Sequence, residues 1–316
     1  MTSIYIHCPL LSEEDYRKIL EQLCSQSVRN ATIFMHAEGI CPKQLKILME
    51  VQQDFGLQRP IRFRNVLVLS QIPSITRSVR RVLRKHSISL HLEVSVNQAS
   101  KLVRPARTLA KHGISCKLWV DADKDQFAVY DKFCALGLPL NFQRPRYTAD
   151  TADRFSRWLY EPQAQGINTF CDIITMLTLD TRSPNCRYAS CFGSTYRVDE
   201  QFQVYLCPYH MDARTCLGDL NEPEQLLQAQ SVTQLLPQII TRREQCANSC
   251  SSFSHCQGGC LLQPPSEEDC AHYITTVDRI RQALLEVYRS GNLNTINPIV
   301  NNAILNALAF GTAFFR

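Results

Sequence analysis

The residues best suited to chemistry in this chain are cysteines, and most of them lie in its second half. The chain has 15, and nine fall between Cys186 and Cys270. Apart from Cys216, these form a block of three and a block of five, which suits two sites of four thiolates each. Thiolate sulfur is a soft ligand that favours iron–sulfur clusters or zinc. The eight candidate ligands are Cys186, Cys191, Cys207, Cys246, Cys250, Cys256, Cys260 and Cys270.

The compartment decides whether such thiols bind metal or form disulfides. The first residues, MTSIYIHCPLLSEED, lack the basic segment of a secretory signal, and no apolar run has the length of a membrane helix. We therefore expect a cytoplasmic protein without a membrane span. In a reducing compartment, clustered cysteines are metal ligands more often than disulfide partners.

Glycines next to the second cysteine block favour a compact inorganic centre. Gly258 and Gly259 precede Cys260 directly. Because glycine adopts backbone conformations that other residues avoid, the chain can turn tightly there and approach a bulky group. The backbone amides of such a turn are also expected to donate hydrogen bonds to cluster sulfurs.

The cysteine spacing resembles the SPASM extension of radical S-adenosylmethionine enzymes. It reads Cys-x4-Cys-x15-Cys, then Cys-x3-Cys-x5-Cys-x3-Cys, then a single cysteine. The family usually has two residues where three separate Cys246 from Cys250. The CPYH segment that starts at Cys207 and the Leu217–Leu220 turn are also similar to family features. Phe202 stands where the family has a glycine.

This resemblance implies two interleaved 4Fe–4S clusters. By position, Cys186, Cys191, Cys207 and Cys260 would hold the first cluster, and Cys246, Cys250, Cys256 and Cys270 would hold the second. Cys216 is left over and is expected to be a packed thiol. A pair of zinc sites stays open as the alternative, because spacing alone does not separate zinc from iron–sulfur.

The first half of the chain must position these centres, and it reads as repeated strand–helix units. Amphipathic segments separate the strands, and Ser12 with Asp15 forms a capping-box pattern before the first helix. Such alternation predicts a parallel sheet, either doubly wound or a partial barrel. The strand-like segments are Ile4–Cys8, Thr32–His36, Ile61–Leu69, Ser89–Val96, Ser115–Val120 and Leu138–Phe142.

The resemblance favours the barrel. It implies an α/β chain with a partial (β/α)6 barrel of radical-SAM type over residues 1–165. A small cysteine-rich SPASM domain follows over residues 166–275, and a helical tail over residues 276–316. The apolar tail is expected to dock on the parent protein, because it lacks the basic face of a membrane-surface helix.

The barrel lacks the residues that the family uses for radical chemistry. Those enzymes carry Cys-x3-Cys-x2-Cys after the first strand, but here only Cys8 is present, and Cys24 is expected inside a helix. The Gly-Gly-Glu-Pro segment that binds the cofactor's amino group is replaced by His36-Ala-Glu38-Gly39. We therefore expect neither binding nor cleavage of S-adenosylmethionine.

Other polar groups have simpler interpretations. Residues 1–150 hold 22 Lys and Arg against 13 Asp and Glu, and such a basic half attracts acidic peptides or nucleic acids. Its densest run, Arg77–Lys85, has apolar residues at helical spacing and is interpreted as a solvated helix face without a specific nucleic-acid signal. The pair His7 and Cys8 is expected to be packed, the acids at 121, 123 and 125 to open a helix, and His255 to be no ligand.

Three functions remain open at this stage. The first is a degenerate radical-SAM-like protein that binds substrate or transfers electrons for an active enzyme in peptide or protein modification. The second is an active radical-SAM-type peptide-modifying enzyme with another route to its cofactor. The third is an interaction protein stapled by zinc. Whether the chain is itself an enzyme is left undecided.

Overall fold

The chain is described from a computed structural model. The residues described are 2–7, 11–24, 28–37, 41–69, 76–94, 99–120, 140–142, 147–161, 168–179, 195–222, 230–256, 258–260, 262, 266–291 and 296–309. Cys8, Glu38 and the acids at 121, 123 and 125 lie outside these residues, as do Cys186 and Cys191. The side chains of His7 and His255 lie outside them as well.

One sheet carries six strands at the positions expected from the sequence. In order along the sheet, the strands run β6-β5-β4-β3-β2-β1-β7-β8-β9. The pairs β1–β2, β2–β3, β3–β4 and β5–β6 are parallel. The first six strands are β1 (Thr2–His7), β2 (Asn30–Ala37), β3 (Arg62–Leu69), β4 (Ser89–Val94), β5 (Cys116–Val120) and β6 (Leu140–Phe142).

The strand order selects the barrel over a doubly wound sheet. Strands β1 to β6 are neighbours in sequence order, whereas a doubly wound sheet reverses direction at a switch point. A series of parallel strands that always advances in one direction is the order of a (β/α) barrel. The partial-barrel prediction therefore agrees with the topology.

Helices fill the crossovers between these strands. They are α1 (Glu13–Leu23), α2 (Pro42–Gln58), α3 (Arg77–Lys85) and α4 (Ala99–Lys111). Ser12 and Asp15 form the expected capping box at the start of α1. The helix buries Tyr16, Ile19, Leu20 and Leu23, the apolar stripe that the sequence predicts. Gly113 follows α4 with a φ of +70°, as expected for a residue that ends a helix.

A buried amide pair joins α2 to β3. Gln52 and Asn65 donate to each other's carbonyl oxygens at 2.7 and 2.8 Å. The Gln52 amide also donates to the Tyr16 hydroxyl of α1. Since a buried polar group without a partner is costly, these reciprocal bonds fix how the two helices lie on the sheet.

The cysteine-rich half contributes strands to the same sheet, which the sequence did not predict. Strand β7 (Thr195–Val198) pairs parallel to β1, and β8 (Gln203–Tyr205) and β9 (Cys216–Asp219) follow antiparallel. The edge of β1 is therefore covered by a strand about 190 residues later in the chain.

The remaining helices are α5 (Ala149–Trp158), α6 (Asn168–Leu179), α7 (Gln230–Ser249), α8 (Phe253–Cys256), α9 (Glu267–Ser290) and α10 (Pro298–Ala309). Helix α9 packs on α5, where Tyr147 and Tyr273 meet edge to face at 5.2 Å and Arg279 pairs with Asp153. Helix α10 packs on α6, and the backbone amide of Asn297 donates to the Leu159 carbonyl at 2.8 Å. This tail helix docks on its own protein, as expected.

Two compact units divide the chain. The first comprises Met1–Glu93, Arg104–Lys117 and Cys191–Ile240; the second comprises Val94–Val103, Leu118–Ser190 and Thr241–Arg316. The division predicted at residues 165 and 275 stays a prediction. None of the helices within the described residues is long and apolar enough to cross a membrane.

Candidate metal centre

Four cysteines of the predicted second cluster lie on three consecutive elements of the second unit. Cys246 lies near the end of α7, and Cys250 follows that helix directly. Cys256 ends α8, and Cys270 lies in the first turns of α9. The backbone amide of Cys250 donates to the Cys246 carbonyl at 2.9 Å, which continues the helical turn past the end of α7. All four side chains are half-buried.

The Cys256 thiol is at the centre of this group. Its pKa is raised to about 11, mainly by burial and also by the neighbouring thiols of Cys270 and Cys250, while the backbone amides of Gly258 and Gly259 act in the opposite direction. Three of the four sulfurs are therefore close enough to interact electrostatically. A metal that binds here must displace the Cys256 proton, so its affinity depends on pH.

The glycine turn brings the backbone against these sulfurs. Gly258 and Gly259 have φ angles of +86° and +74°. A Cβ built on Gly258 would lie 3.9 Å from the Cys246 sulfur and 3.7 Å from the Arg243 side chain. Only glycine adopts this backbone conformation without strain. The tight turn that the sequence predicts is confirmed, and within it the Gly259 amide donates to the Cys256 carbonyl at 3.2 Å.

Cys270 lies just after the capping box that begins α9. Ser266 caps the helix, and its hydroxyl accepts from the Asp269 amide at 3.1 Å. The Cys270 amide donates to the Ser266 carbonyl at 3.0 Å, so Cys270 lies in the first regular turn of the helix.

The donor set of these four cysteines fits an all-thiolate group. The described cysteine side chains form no disulfide. Among the described side chains, no three of His, Cys, Asp or Glu are arranged to hold a single metal ion. A cuboidal cluster does not require the sulfurs to converge on a single ion, because each thiolate binds its own iron atom. Amides that donate to a ligand sulfur are a feature of such sites.

Only half of the predicted first cluster falls within the described residues. Cys207 follows β8 in the first unit, is buried, and accepts a hydrogen bond from the Tyr209 amide at 3.5 Å. Cys260 belongs to the second unit, where the Arg242 guanidinium donates to its carbonyl at 2.7 Å. Cys186 and Cys191 are not among the described residues, so this ligand set stays a prediction.

Two residues near Cys207 bear on the sequence interpretation. The Cys216 thiol on β9 donates to the Gln203 side chain at 3.7 Å, as expected for a packed thiol. Phe202, in the β7–β8 turn, has a φ of +59°. This is the left-handed conformation that bulky residues avoid, so the backbone retains the geometry for which the family uses glycine.

The cysteine at the end of α1 needs a small correction. Cys24 caps the helix instead of lying within it, and its side chain is fully buried. Burial raises its pKa to about 11, although the nearby Arg59 opposes this. A buried neutral thiol is inert, so Cys24 does not replace a missing cluster ligand.

Aromatic rings on the first unit's sheet form a cluster that the sequence analysis did not predict. The rings of Tyr5 and Phe34 stack at 4.3 Å, and the ring of His36 lies 6.0 Å from that of Tyr5. Tyr209 and His91 extend the group, with ring centroids 6.5 Å from Tyr5 and 6.1 Å from Phe34. We call these five residues the aromatic face.

Strand register explains why these rings meet. Tyr5 lies opposite Phe34, while His36 and His91 both lie opposite Val68. Because alternate residues of a strand share one face, rings at positions 5, 34, 36 and 91 fall on the same side. The sequence signal for this face is an aromatic or polar residue at every second position of the strands.

His91 is kept neutral on this face. Its pKa is lowered to about 3, mainly by burial and also by the cations Lys117 and Arg64. A neutral imidazole offers one donor and one acceptor, so the face supplies polar contacts without a fixed charge at this position.

Comparisons with known proteins give structural neighbours only. No protein-family model matches the chain, and no curated protein matches it in sequence. Native anSMEcpe with bound AdoMet is similar, with a TM-score of 0.66, 15% identity, and coverage of 90% of this chain and 98% of that one. Hexahistidine-tagged anSMEcpe with bound AdoMet has a TM-score of 0.68 and 16% identity, with coverage of 96% of this chain and 97% of that one. SuiB from Streptococcus suis has a TM-score of 0.50 and 14% identity, with coverage of 84% of this chain and 75% of that one.

These neighbours are radical S-adenosylmethionine/SPASM structures, and the chain has their fold. The similarity extends over nearly the full length of both anSMEcpe chains, so it includes the barrel and the cysteine-rich half. The fold class expected from the cysteine spacing is thereby confirmed.

Proposed function

We propose that this chain is a radical-SAM-like auxiliary protein that binds two 4Fe–4S clusters and does not cleave S-adenosylmethionine. It serves an active enzyme as a substrate-binding or electron-transferring partner in peptide or protein modification. The observation that carries the proposal is the contrast between two sites. Thiols and amide donors gather around Cys256, whereas Cys8 alone follows the first strand.

The proposed cluster ligands are those that the spacing and the resemblance assign. Cys246, Cys250, Cys256 and Cys270 would hold one cluster, and Cys186, Cys191, Cys207 and Cys260 the other. A cluster with four cysteine ligands has no open iron, so it supplies electron transfer or structural support. The chain's own contribution is to hold the thiolates, and the Gly258 and Gly259 amides stabilise negative charge on sulfur. Clusters of this kind suit the reducing cytoplasm, where we place the protein.

The loss of radical chemistry rests on the ligand count. A cluster that binds the cofactor needs three thiolates beside the first strand, and only Cys8 is available there. The buried neutral thiol of Cys24 does not supply another. At the end of β2, the half-buried His36 lies beside the Tyr5 ring, at a position where the resemblance implies glycine. Both changes oppose binding of S-adenosylmethionine, although a neighbour of this fold binds AdoMet.

The resemblance suggests a peptide or protein substrate. On the aromatic face, the half-buried rings of Phe34, His36 and Tyr209 are of the kind that contact peptide side chains, whereas Tyr5 and His91 are buried.

Iron stoichiometry of anaerobically purified protein tests the proposal. About eight irons per chain, with no 5′-deoxyadenosine formed from S-adenosylmethionine under reductant, is the expected result. About twelve irons, or detectable 5′-deoxyadenosine, would instead indicate an active radical enzyme. Zinc without iron, in a colourless protein, would indicate the zinc-stapled interaction protein.

A pair of cysteine variants tests the ligand assignment. Cys260→Ala is expected to lower the iron content by about four atoms and to unfold its surroundings, because metal binding and folding are coupled in such sites. Cys216→Ala is the matched control, since its thiol donates to Gln203, and it should retain all the iron. Unchanged iron in Cys260→Ala would contradict the assignment.

A further inference from the structure

A concave basic surface lies on the first unit. It consists of Arg77, Arg80, Arg81, Arg84 and Lys85 of α3 together with His112, which follows α4. These six residues line a cavity of about 610 Å³. We call it the basic groove.

Helical periodicity places all five cations on one side of α3. They are spaced at i, i+3, i+4, i+7 and i+8, which is a single helix face. Val79 and Leu83 are buried on the opposite side. The cationic face is about 12 Å long, from the rise of 1.5 Å per residue.

The groove is more than the convex surface of one helix. His112 comes from the neighbouring crossover, and the Arg80 guanidinium donates to its Nε2 atom at 2.7 Å. This contact fixes Arg80, which is half-buried, whereas the other four cations are exposed. Residues from two crossovers therefore form a concave wall. A solvated helix face alone would not explain this concave shape.

Five cationic side chains of one helix give the groove its positive charge. None of the five cations forms an ion pair within the part of the chain that the structure describes. Like charges at i and i+4 on a helix repel each other, and three such pairs occur in α3: 77 with 81, 80 with 84, and 81 with 85. An anionic ligand would relieve this repulsion.

We infer that the basic groove docks an acidic polypeptide segment. Arginine forks match carboxylates in bidentate geometry, and four arginines here face one cavity. A nucleic acid fits less well, because proteins that grip single strands combine cations with aromatic rings on which bases stack. Among the described residues that line the groove there is no Phe, Tyr or Trp, and the imidazole of His112 contacts Arg80.

Peptide binding by the intact, anaerobically purified protein tests this inference. The probe is a fluorescein-labelled peptide of eight glutamates, measured by anisotropy at low ionic strength. Arg81→Gln/Arg84→Gln is expected to raise Kd about tenfold, since each lost charge pair weakens binding several-fold. The matched control is Lys43→Gln/Lys46→Gln on α2, which removes two exposed charges from another helix and should change Kd less than about twofold.

Three outcomes would overturn the inference: no binding by the wild-type protein, equal weakening in both double variants, or tighter binding of a single-stranded oligonucleotide of equal charge. Equal weakening would show attraction to net charge alone. Iron content is measured in every sample. Because peptide binding in the groove does not depend on the proposed clusters, iron content and peptide affinity test the two proposals separately. A failure of the cluster proposal is thus distinguishable from a failure here.

Discussion

Helix α2 and the segment from Thr241 to Cys270 differ in what they bury. Six side chains of α2 are buried, five of them apolar. Between Thr241 and Cys270, the buried positions among the described residues are Ser252, Gly258 and Gly259, and none is apolar. The barrel is thus held by an apolar core, while the described part of the cysteine segment has almost none.

The comparison indicates where the protein needs its proposed metal. A segment that buries few apolar side chains gains too little free energy to offset the conformational entropy that it loses on folding, so something else must stabilise it. Metal binding contributes directly to folding in such sites. Metal removal should therefore destabilise mainly the cysteine segment, and a core mutation should destabilise mainly the barrel.

The largest effect is expected from metal removal. Anaerobic chelation should raise the hydrogen-exchange rates of backbone amides from residues 246 to 270 by on the order of 100-fold, because the free energy of local opening falls close to zero. Amides of β1 to β3 should keep their protection. Exchange mass spectrometry measures both regions in one sample, and equal loss of protection in both would contradict the comparison.

Leu48→Ala addresses the other region. This side chain is fully buried on α2, and its truncation should lower the free energy of unfolding by about 3 kcal/mol through lost transfer energy and a cavity. The control on the same helix is Leu57→Ala, which should cost less than about 0.5 kcal/mol because Leu57 is 81% exposed. Denaturant unfolding measures stability, and iron content should not change. Loss of iron in Leu48→Ala would show that the regions are not independent.

Acid sensitivity of the barrel should depend on His91. Its pKa in the folded protein is about 3, below the value of about 6.5 in an unfolded chain. The unfolded state therefore binds the proton first as pH falls below about 6.5, and stability declines by up to about 1.4 kcal/mol per pH unit until pH approaches 3.

His91→Gln should remove this part of the slope in denaturant unfolding between pH 6.5 and 4. The wild-type protein provides the control and should show the steeper slope. Because both proteins retain the same cysteines, acid effects on any cluster cancel in the comparison. Parallel slopes in the two proteins would contradict the role of His91.

The smallest effect concerns the β7–β8 turn. Phe202→Gly and Phe202→Ala both remove the ring, but only glycine relieves the left-handed backbone. The glycine variant should be more stable than the alanine variant by about 1 kcal/mol in thermal or denaturant unfolding. Equal stability would show that the turn does not store strain.

The sequence predicted the strand–helix units of the barrel well because local patterns determine them, whereas the choice of a barrel over a doubly wound sheet came from the family resemblance. The strands, the capping box at Ser12 and the buried stripe of α1 all follow from short-range periodicity. Strand β7 was missed because its pairing with β1 depends on contacts about 190 residues apart. No local pattern encodes such a pairing.

The candidate site was predictable in part for a related reason. Spacing singled out the cysteines, and Gly258 and Gly259 indicated the turn that the structure shows. The aromatic face was missed, because strand register, not sequence distance, places Tyr5, Phe34 and His91 together. Which sulfurs share a cluster is likewise a question of three-dimensional arrangement.

The pairing of β1 with β7 also has a consequence for synthesis on the ribosome. Thr2–His7 emerges early, but its partner Thr195–Val198 follows about 190 residues later, roughly 10–40 s at ordinary rates of translation. During that interval the backbone hydrogen-bonding groups along one side of the nascent strand have no partner, and open strand edges recruit other chains. Chaperone protection of the growing polypeptide should matter most in this interval.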